Sequence, residues 1–493
     1  MGPKFLWKRN RLSVINFYVQ TEFFLLLGVY FILIVFVGLK FSRRMKSLED
    51  FFLASRSLSG LFIFVSLTAS WFGATSILVT TDEAFRIGLS AFWLVGLPAV
   101  VTVLIFAFFL AGPIRRLDIL TLPDLVELRY GRTVRHLASL LIFWYMVVLA
   151  SSQMVALGNF FSPFLGISYF WSLVLGTAVV LIYLLSGGLF SVVATDVLQC
   201  FLLTAGMIGL AFFLWGASPV ETVLEAARQA GKQGYFHFFF DLKRNLLIAL
   251  SFTLAWTISP IAWQRIQAAK TAKKAKQGLF GAAGAFVVLY SLVVFIGIFS
   301  LPLFFDRQLS HPLISEIVAS KIGKLWGGLL FIAVVSAILS TMDTALNTGA
   351  LGLTRDIYLR IFSPQKEKQP SAVWVSRVST FLVAVLAFAV ATRFQSILKT
   401  IGVASEIMAE GLFIPGLAML FLKKKRPLAG GLSLILGGIF ALASFLAAME
   451  ILSFRLPVWP FSVPYGLALS LIGFAVGFLL DQVRLSRSRP DSV

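Results

Sequence analysis

Stretches of about twenty apolar residues recur along the whole chain, from Phe23 to Leu480. A helix needs roughly twenty apolar residues to cross the ~30 Å hydrocarbon core of a bilayer. A backbone in lipid must satisfy its own hydrogen bonds, and no barrel-type alternation is present, so helices are the only spanning form open to this chain. Thirteen spans are expected, near 21–41, 58–80, 89–112, 134–160, 165–186, 191–216, 245–263, 278–304, 325–354, 373–392, 398–422, 427–449 and 462–482. The 493 residues then form one all-α, multi-pass membrane domain.

Charge fixes the expected orientation. The net charge is +20, yet only 13% of residues are charged and 59% are hydrophobic. In a soluble protein such a balance would point to nucleic acid. Here the cations lie in short blocks between apolar runs, such as Lys270–Lys276 and Lys423–Arg426. That is the signature of cytoplasmic loops, so no nucleic-acid partner is expected. Lys and Arg concentrate in loops after odd-numbered helices, which puts the C-terminus inside and the N-terminus outside. The basic N-terminus (Lys4, Lys8, Arg9, Arg11) runs against this locally. It precedes a long apolar run with no small-residue cleavage site, so the first helix is expected to be retained.

Cys200 is the sole cysteine, and His136, His237 and His311 lie far apart. Neither a disulfide framework nor a metal cluster is expected. No nucleophile–base arrangement stands out, so no enzymatic role and no cofactor are expected. The loop at 217–244 joins a short amphipathic stretch, Glu221–Arg228, to the aromatic run Tyr235–Phe240. An interfacial anchor is the first reading and an extracellular lid the second.

Polar residues at membrane depth are costly and mark pathways. The ninth helix holds the densest group, Ala337 through Thr348. Ser340 and Thr341 follow Ala337 by three and four residues and share its face. Their hydroxyls and a carbonyl are hard ligands suited to Na⁺, or they are glue between packed helices. The second helix mixes small, hydroxyl and aromatic residues around Gly73, from Ser66 to Ser76. It either unwinds at mid-membrane or packs closely. In the seventh helix Pro260 frees a carbonyl between Trp256 and Trp263. Interrupted helices at matching places in two repeats point to a transport site. The eleventh helix carries Glu406 and Glu410, one turn apart. They would read a cationic solute or carry a proton.

Five stretches, in order, resemble the sodium:solute symporter family. They are Asp50–Leu58, Leu122-Pro-Asp-Leu-Val-Glu-Leu-Arg-Tyr-Gly131, Gly187–Gln199 with its Thr-Asp-x-x-Gln pattern, Pro260–Arg265, and Ser340 through Tyr358. The resemblance implies the LeuT-like five-plus-five inverted repeat, with repeats at 58–216 and 245–422 and peripheral helices at 21–41 and 427–482. It implies Na⁺-coupled uptake of a small polar solute by alternating access. It places the sodium ligands at Ala69, Phe72, Ala337, Ser340 and Thr341, and links Asp196 to sodium release. Proline-carrying members have an acid where this chain has Trp71, so solute contacts do not carry over. Position and chemistry instead nominate Trp71, Thr75, Gln153, Trp256, Ser259 and Glu410 for the solute pocket.

The expected partners are the lipid bilayer and a small polar solute: an amino acid such as proline, a sugar or a carboxylate. No obligate protein partner is expected. Compact loops point to the plasma membrane, of the bacterial inner type. Proton coupling through Glu410 or Asp196, and a solute sensor without net transport, are the alternatives.

Overall fold

In the computed structural model, the described residues are 21–41, 48–117, 119, 121–309, 311–362, 371–394, 396–448, 451 and 456–487. The expected outer placement of residues 1–20 and the basic run Arg43–Lys46 lie outside them, as does the end of the C-terminal tail. The described residues form helices and turns, apart from one isolated parallel bridge between Leu58 and Ala269. At that bridge Leu58 N–H donates to Ala268 O at 3.0 Å, and Lys270 N–H donates to Leu58 O at 2.9 Å.

The longer helices are α1 (Thr21–Phe41), α2 (Gly60–Trp71), α3 (Thr80–Ile87), α4 (Gly96–Ile105), α5 (Arg132–Leu165), α6 (Tyr169–Ala217) and α7 (Leu242–Thr257). They continue as α8 (Pro260–Ala268), α9 (Ala272–Phe299), α10 (Lys324–Leu351), α11 (Ser371–Arg393), α12 (Ile397–Gly411), α13 (Phe413–Phe421), α14 (Pro427–Ala448) and α15 (Val463–Arg487). Local chemistry sets several ends. The Ser59 hydroxyl caps α2 through Phe62 N–H, and the Thr271 hydroxyl caps α9 through Lys274 N–H at 3.2 Å. Pro260 opens α8, where its missing N–H costs nothing.

Among the described residues, ten helical stretches are long and apolar enough to cross a bilayer. An eleventh is reached if α12 and α13, bent by 43°, count as one span. The thirteen expected segments map onto fewer continuous helices for three reasons. α2 stops after 12 residues because the chain breaks beyond Trp71. The stretch Thr75–Arg116 then runs on as one helical path. The expected fifth and sixth helices fuse into α6, kinked at Gly188, where φ is 50°. A Cβ at Gly188 would lie 2.6 Å from the Phe51 carbonyl oxygen, so only glycine meets both the positive φ and the close approach.

Helix α10 forms the buried axis. Every residue from Leu330 to Leu351 is buried, and the helix packs against α5, α6, α1 and α2. α11 instead presents Trp374, Phe381 and Val385 outward, as a lipid-facing helix should. The motifs at 122–131 and 354–358 meet in a buried ion cluster. Arg355 contacts Asp124 at 2.7 Å, and Arg135 contacts Asp356 at 2.9 Å. The 217–244 loop begins with a helix, Val220–Gln229. Its aromatic run docks on the segment before α4, where Trp93 Nε1 donates to Phe238 O at 3.0 Å.

Candidate functional site

The break after α2 is the starting point. Phe72 leaves helical geometry (φ −96°, ψ 60°) although its N–H still reaches Thr68 O. Regular bonding resumes with Ile77 N–H on Gly73 O at 3.1 Å. The interruption frees the Ala69 carbonyl from its usual intrahelical partner. Ser340 Oγ of α10 donates to it at 2.8 Å. The same hydroxyl lies 3.1 Å from Ala337 O, and Thr341 Oγ1 lies 3.3 Å from that oxygen. A hydroxyl has one proton to give, so Ser340 is shared between two carbonyls.

Four of the five expected sodium ligands therefore meet: Ala69, Ala337, Ser340 and Thr341. Phe72 stands at the break itself, with its ring edge-on to Tyr290 at 5.0 Å. Gly73 completes the contact. A Cβ there would lie 2.2 Å from Thr341 Oγ1 and 2.9 Å from Gln153 Oε1. Gly73→Ala is accordingly expected to lower thermal stability, by the ~1–3 kcal/mol typical of overpacking. A melt coincident with that of the unmodified protein would contradict this packing.

Beside this group lies a cavity of about 40 Å³. It has room for a few waters on a scale where one needs ~10–15 Å³. Trp71, Thr75, Gln153, Trp256 and Ser259 line it, with Thr341 at its edge. Five of the six expected pocket residues thus come together, and no charged side chain is among the lining residues. The Trp71 ring stacks 6.2 Å from Phe286 and stands 5.6 Å from Trp256. Gln153 Oε1 accepts from Ala74 N–H at 3.0 Å, so this side chain holds the broken segment in place. Thr75 Oγ1 is buried with no hydrogen-bond partner among the described residues. Sequence reasoning missed Tyr145, which also lines the cavity. It lies eight residues before Gln153 on α5, about two turns away on one face, and that spacing was the available signal.

Glu410 is the correction. Its carboxylate does not line the cavity. It lies against Gly466 of α15, where a Cβ would fall 2.1 Å from Oε2. Glu406 likewise accepts from Ser444 at 3.1 Å and from Ser462. The residue of α12 that reaches the cavity is Ile401. The two glutamates sit on a different face, toward α14 and α15.

Asp196 lies in a separate buried polar column. Its Oδ2 accepts from Ser66 Oγ at 2.6 Å, and Arg265 Nε donates to the same Ser66 Oγ at 2.9 Å. Arg265 also donates to Thr344 Oγ1 at 2.9 Å and Ser70 Oγ at 3.2 Å. Asp343 accepts from Tyr183 OH at 2.5 Å. Ser70 and Thr344 each lie one turn or less from Ala69 and Ser340, so the column adjoins the hydroxyl–carbonyl group. Thr348 Oγ1 continues it by donating to Gln264 Oε1 at 3.0 Å. The pivotal cation of this column is Arg265, the last residue of the Pro260–Arg265 motif, whose role the motif alone does not reveal.

The chain is similar to known proteins in sequence and in fold. A sodium/glucose cotransporter of Vibrio parahaemolyticus is 29% identical over 442 residues, covering 80% of this chain and 79% of its own. High-affinity choline transporter 1 of Drosophila melanogaster is 26% identical over 429 residues, covering 82% of this chain and 68% of its own. Among solved structures, a Na⁺-coupled sialic acid symporter, substrate-bound and outward-open, matches with a TM-score of 0.78 at 18% identity. It covers 94% of this chain and 98% of that one. At that identity the likeness establishes the fold, which is of the LeuT type. Residues 51–437 match the sodium:solute symporter family. With that match over most of its length, the chain belongs to the sodium:solute symporter family and is a Na⁺-coupled secondary transporter of solutes.

Proposed function

We propose that Na⁺ binds among Ala69 O, Phe72 O, Ala337 O, Ser340 Oγ and Thr341 Oγ1. The observation that carries this reading is the 2.8 Å contact between Ser340 Oγ and Ala69 O. It joins a carbonyl released by a broken helix to a hydroxyl of the buried axis. An ion entering there exchanges these hydrogen bonds for ion–oxygen contacts and ties α2 to α10. Ion and solute then stabilise the same conformation, so each raises the affinity of the other. Asp196, one polar layer away, would receive the ion on its way to the cytoplasm.

The solute would occupy the space between Trp71, Thr75, Gln153, Trp256 and Ser259. Hydroxyls, an amide and indole faces suit a small polar solute that is neutral, zwitterionic or carries a methylated ammonium. A lone carboxylate would find no cationic side chain in the lining, leaving Na⁺ as its only counter-charge. The relatives named above, described as carriers of glucose and choline, are consistent with this range.

The repeats are read as 58–216 and 245–422, since each opens on an interrupted helix: α2 at Phe72 and α7–α8 at Pro260. The cation-rich loops support an N-terminus outside and a C-terminus inside, in a plasma membrane of the bacterial inner type.

An uptake screen of neutral, zwitterionic, cationic and anionic solutes in proteoliposomes, with and without a Na⁺ gradient, tests the reading. Accumulation of a neutral, zwitterionic or methylated-ammonium solute that requires Na⁺ is the expected result. Accumulation driven by a pH gradient without Na⁺ would assign the coupling to protons. Binding without flux would make the protein a sensor.

A further inference from the structure

Helix α12 carries a polar stripe that the cavity does not use. Gly402, Glu406 and Glu410 recur every four residues and so share one face. The Trp459 ring covers Gly402, where a Cβ would lie 2.4 Å from the indole. Ser462, just before α15, donates to Glu406, and Ser444 of α14 does the same from the other side. Both glutamates are fully buried. Glu406 Oε2 and both carboxylate oxygens of Glu410 have no hydrogen-bond partner among the described residues.

No cation faces this pair among the described residues. α14 carries no charged side chain in its described part, nor do α13 and the turn Thr75–Val79. The charged residues of α15 begin at Asp481, roughly 22 Å or more along the helix from Gly466 at 1.5 Å per residue, with Arg484 and Arg487 farther still. Asp481 is engaged with the Leu428 and Ala429 N–H groups, and Tyr465 is exposed. On α5, Arg132, Arg135 and His136 lie in the first turn and a half, and Tyr145 lines the cavity. Lys243 and Arg244 sit in the first turn of α7, and Lys399 in the first turn of α12.

Two carboxylates one turn apart in an apolar seam carry a large desolvation cost if both are ionised. Something positive must be shared between them. Space decides what. A Cβ at Gly466 would strike the Glu410 carboxylate at 2.1 Å, and one at Gly437 would lie 1.9 Å from the Glu410 carbonyl oxygen. A seam without room for a methyl group has none for a hydrated metal ion. A proton needs no room.

We propose that the Glu406–Glu410 seam is a proton-binding site, loaded while α12 is packed on α14 and α15. A protonated Glu410 turns one of the orphaned acceptors into a donor for its neighbour. Loss of the proton leaves two buried anions one turn apart and drives the stripe toward water. The stripe ends directly at Gly411, where α12 gives way to α13 with a 43° bend. The proton therefore bears on the helix that brings Ile401 to the cavity, from outside the solute path. The inference is independent of which solute and ion pass through the cavity.

Infrared difference spectroscopy on the full chain in nanodiscs, free of Na⁺ and solute, reads the site directly. Unmodified protein is expected to show a protonated carboxylic acid band in mildly acidic buffer that is lost in alkaline buffer. Glu410→Gln should lack that component, and Glu406→Gln serves as the second variant. With the proton held by the folded state, the seam's own contribution to stability is present at low pH and is lost as pH rises. Melting of unmodified protein should follow that slope, while Glu410→Gln should be flatter. The proposal is overturned if unmodified protein has no such band, or if Glu410→Gln keeps both band and slope. It is also overturned if Na⁺ added at fixed pH removes the band, which would assign the seam to a metal cation.

Discussion

Replacing Ser340 with alanine is expected to raise the sodium concentration for half-maximal uptake about tenfold, with Thr341→Ala close behind. Each change removes one oxygen from the group around Ala69 and Ala337 while leaving the helix intact. A hydrogen-bond-type contact to a charged partner contributes ~1.5–3 kcal/mol, and 1.4 kcal/mol is a factor of about ten in affinity. Ser340→Ala should be the larger loss, because its hydroxyl alone reaches across to α2 at 2.8 Å. Thr341 Oγ1 packs against Gly73 but hydrogen-bonds to a carbonyl of its own helix, Ala337 O, at 3.3 Å. Sodium titration of uptake in proteoliposomes measures both. Identical sodium curves for both variants and the unmodified protein would remove the ion from this position.

The second large effect is expected at Arg265. Its side chain is fully buried and donates to Ser66, Ser70 and Thr344. Asp196 and Asp343 are also fully buried. Removing one member of a buried charged set leaves the others uncompensated, at a cost of ~3–5 kcal/mol. Arg265→Met should therefore melt far below the unmodified protein. Asp196→Leu combined with Arg265→Met should recover much of that loss, since apolar replacement of a whole pair is often neutral. Thermal unfolding in detergent reads the cycle. Additive losses in the double variant would show that the two charges do not depend on each other.

Local patterns carried much of this in the sequence. Gly73 and Pro260 announced the two interruptions, because one frees backbone space and the other removes a donor. The spacing of Ala337, Ser340 and Thr341 placed them on one face, and the structure brings them to Ala69. Helix faces were less legible. α12 is apolar on several sides, so the direction of Glu410 depended on which neighbours claimed each side. Gly437 and Gly466, distant in sequence, claim the glutamate face. The Ser66–Asp196 contact spans 130 residues, and Arg265 meets Ser66 across 199. No local period encodes such pairings. The expected count of thirteen helices differed from the continuous stretches for a related reason: a kink at one glycine joins what hydropathy separates.

The small parallel bridge at Leu58 has a mechanical meaning. It clamps Leu58, two residues before α2, to the last residue of α8 and to Lys270 just beyond it by two backbone hydrogen bonds. Both clamped helices are the interrupted ones, and they come from opposite halves of the chain. Two levers pinned at adjacent ends cannot swing separately. A displacement of α2 at this end would pull on the end of α8 through the backbone, and through side chains such as Arg115, whose Nε donates to Ala269 O at 2.7 Å.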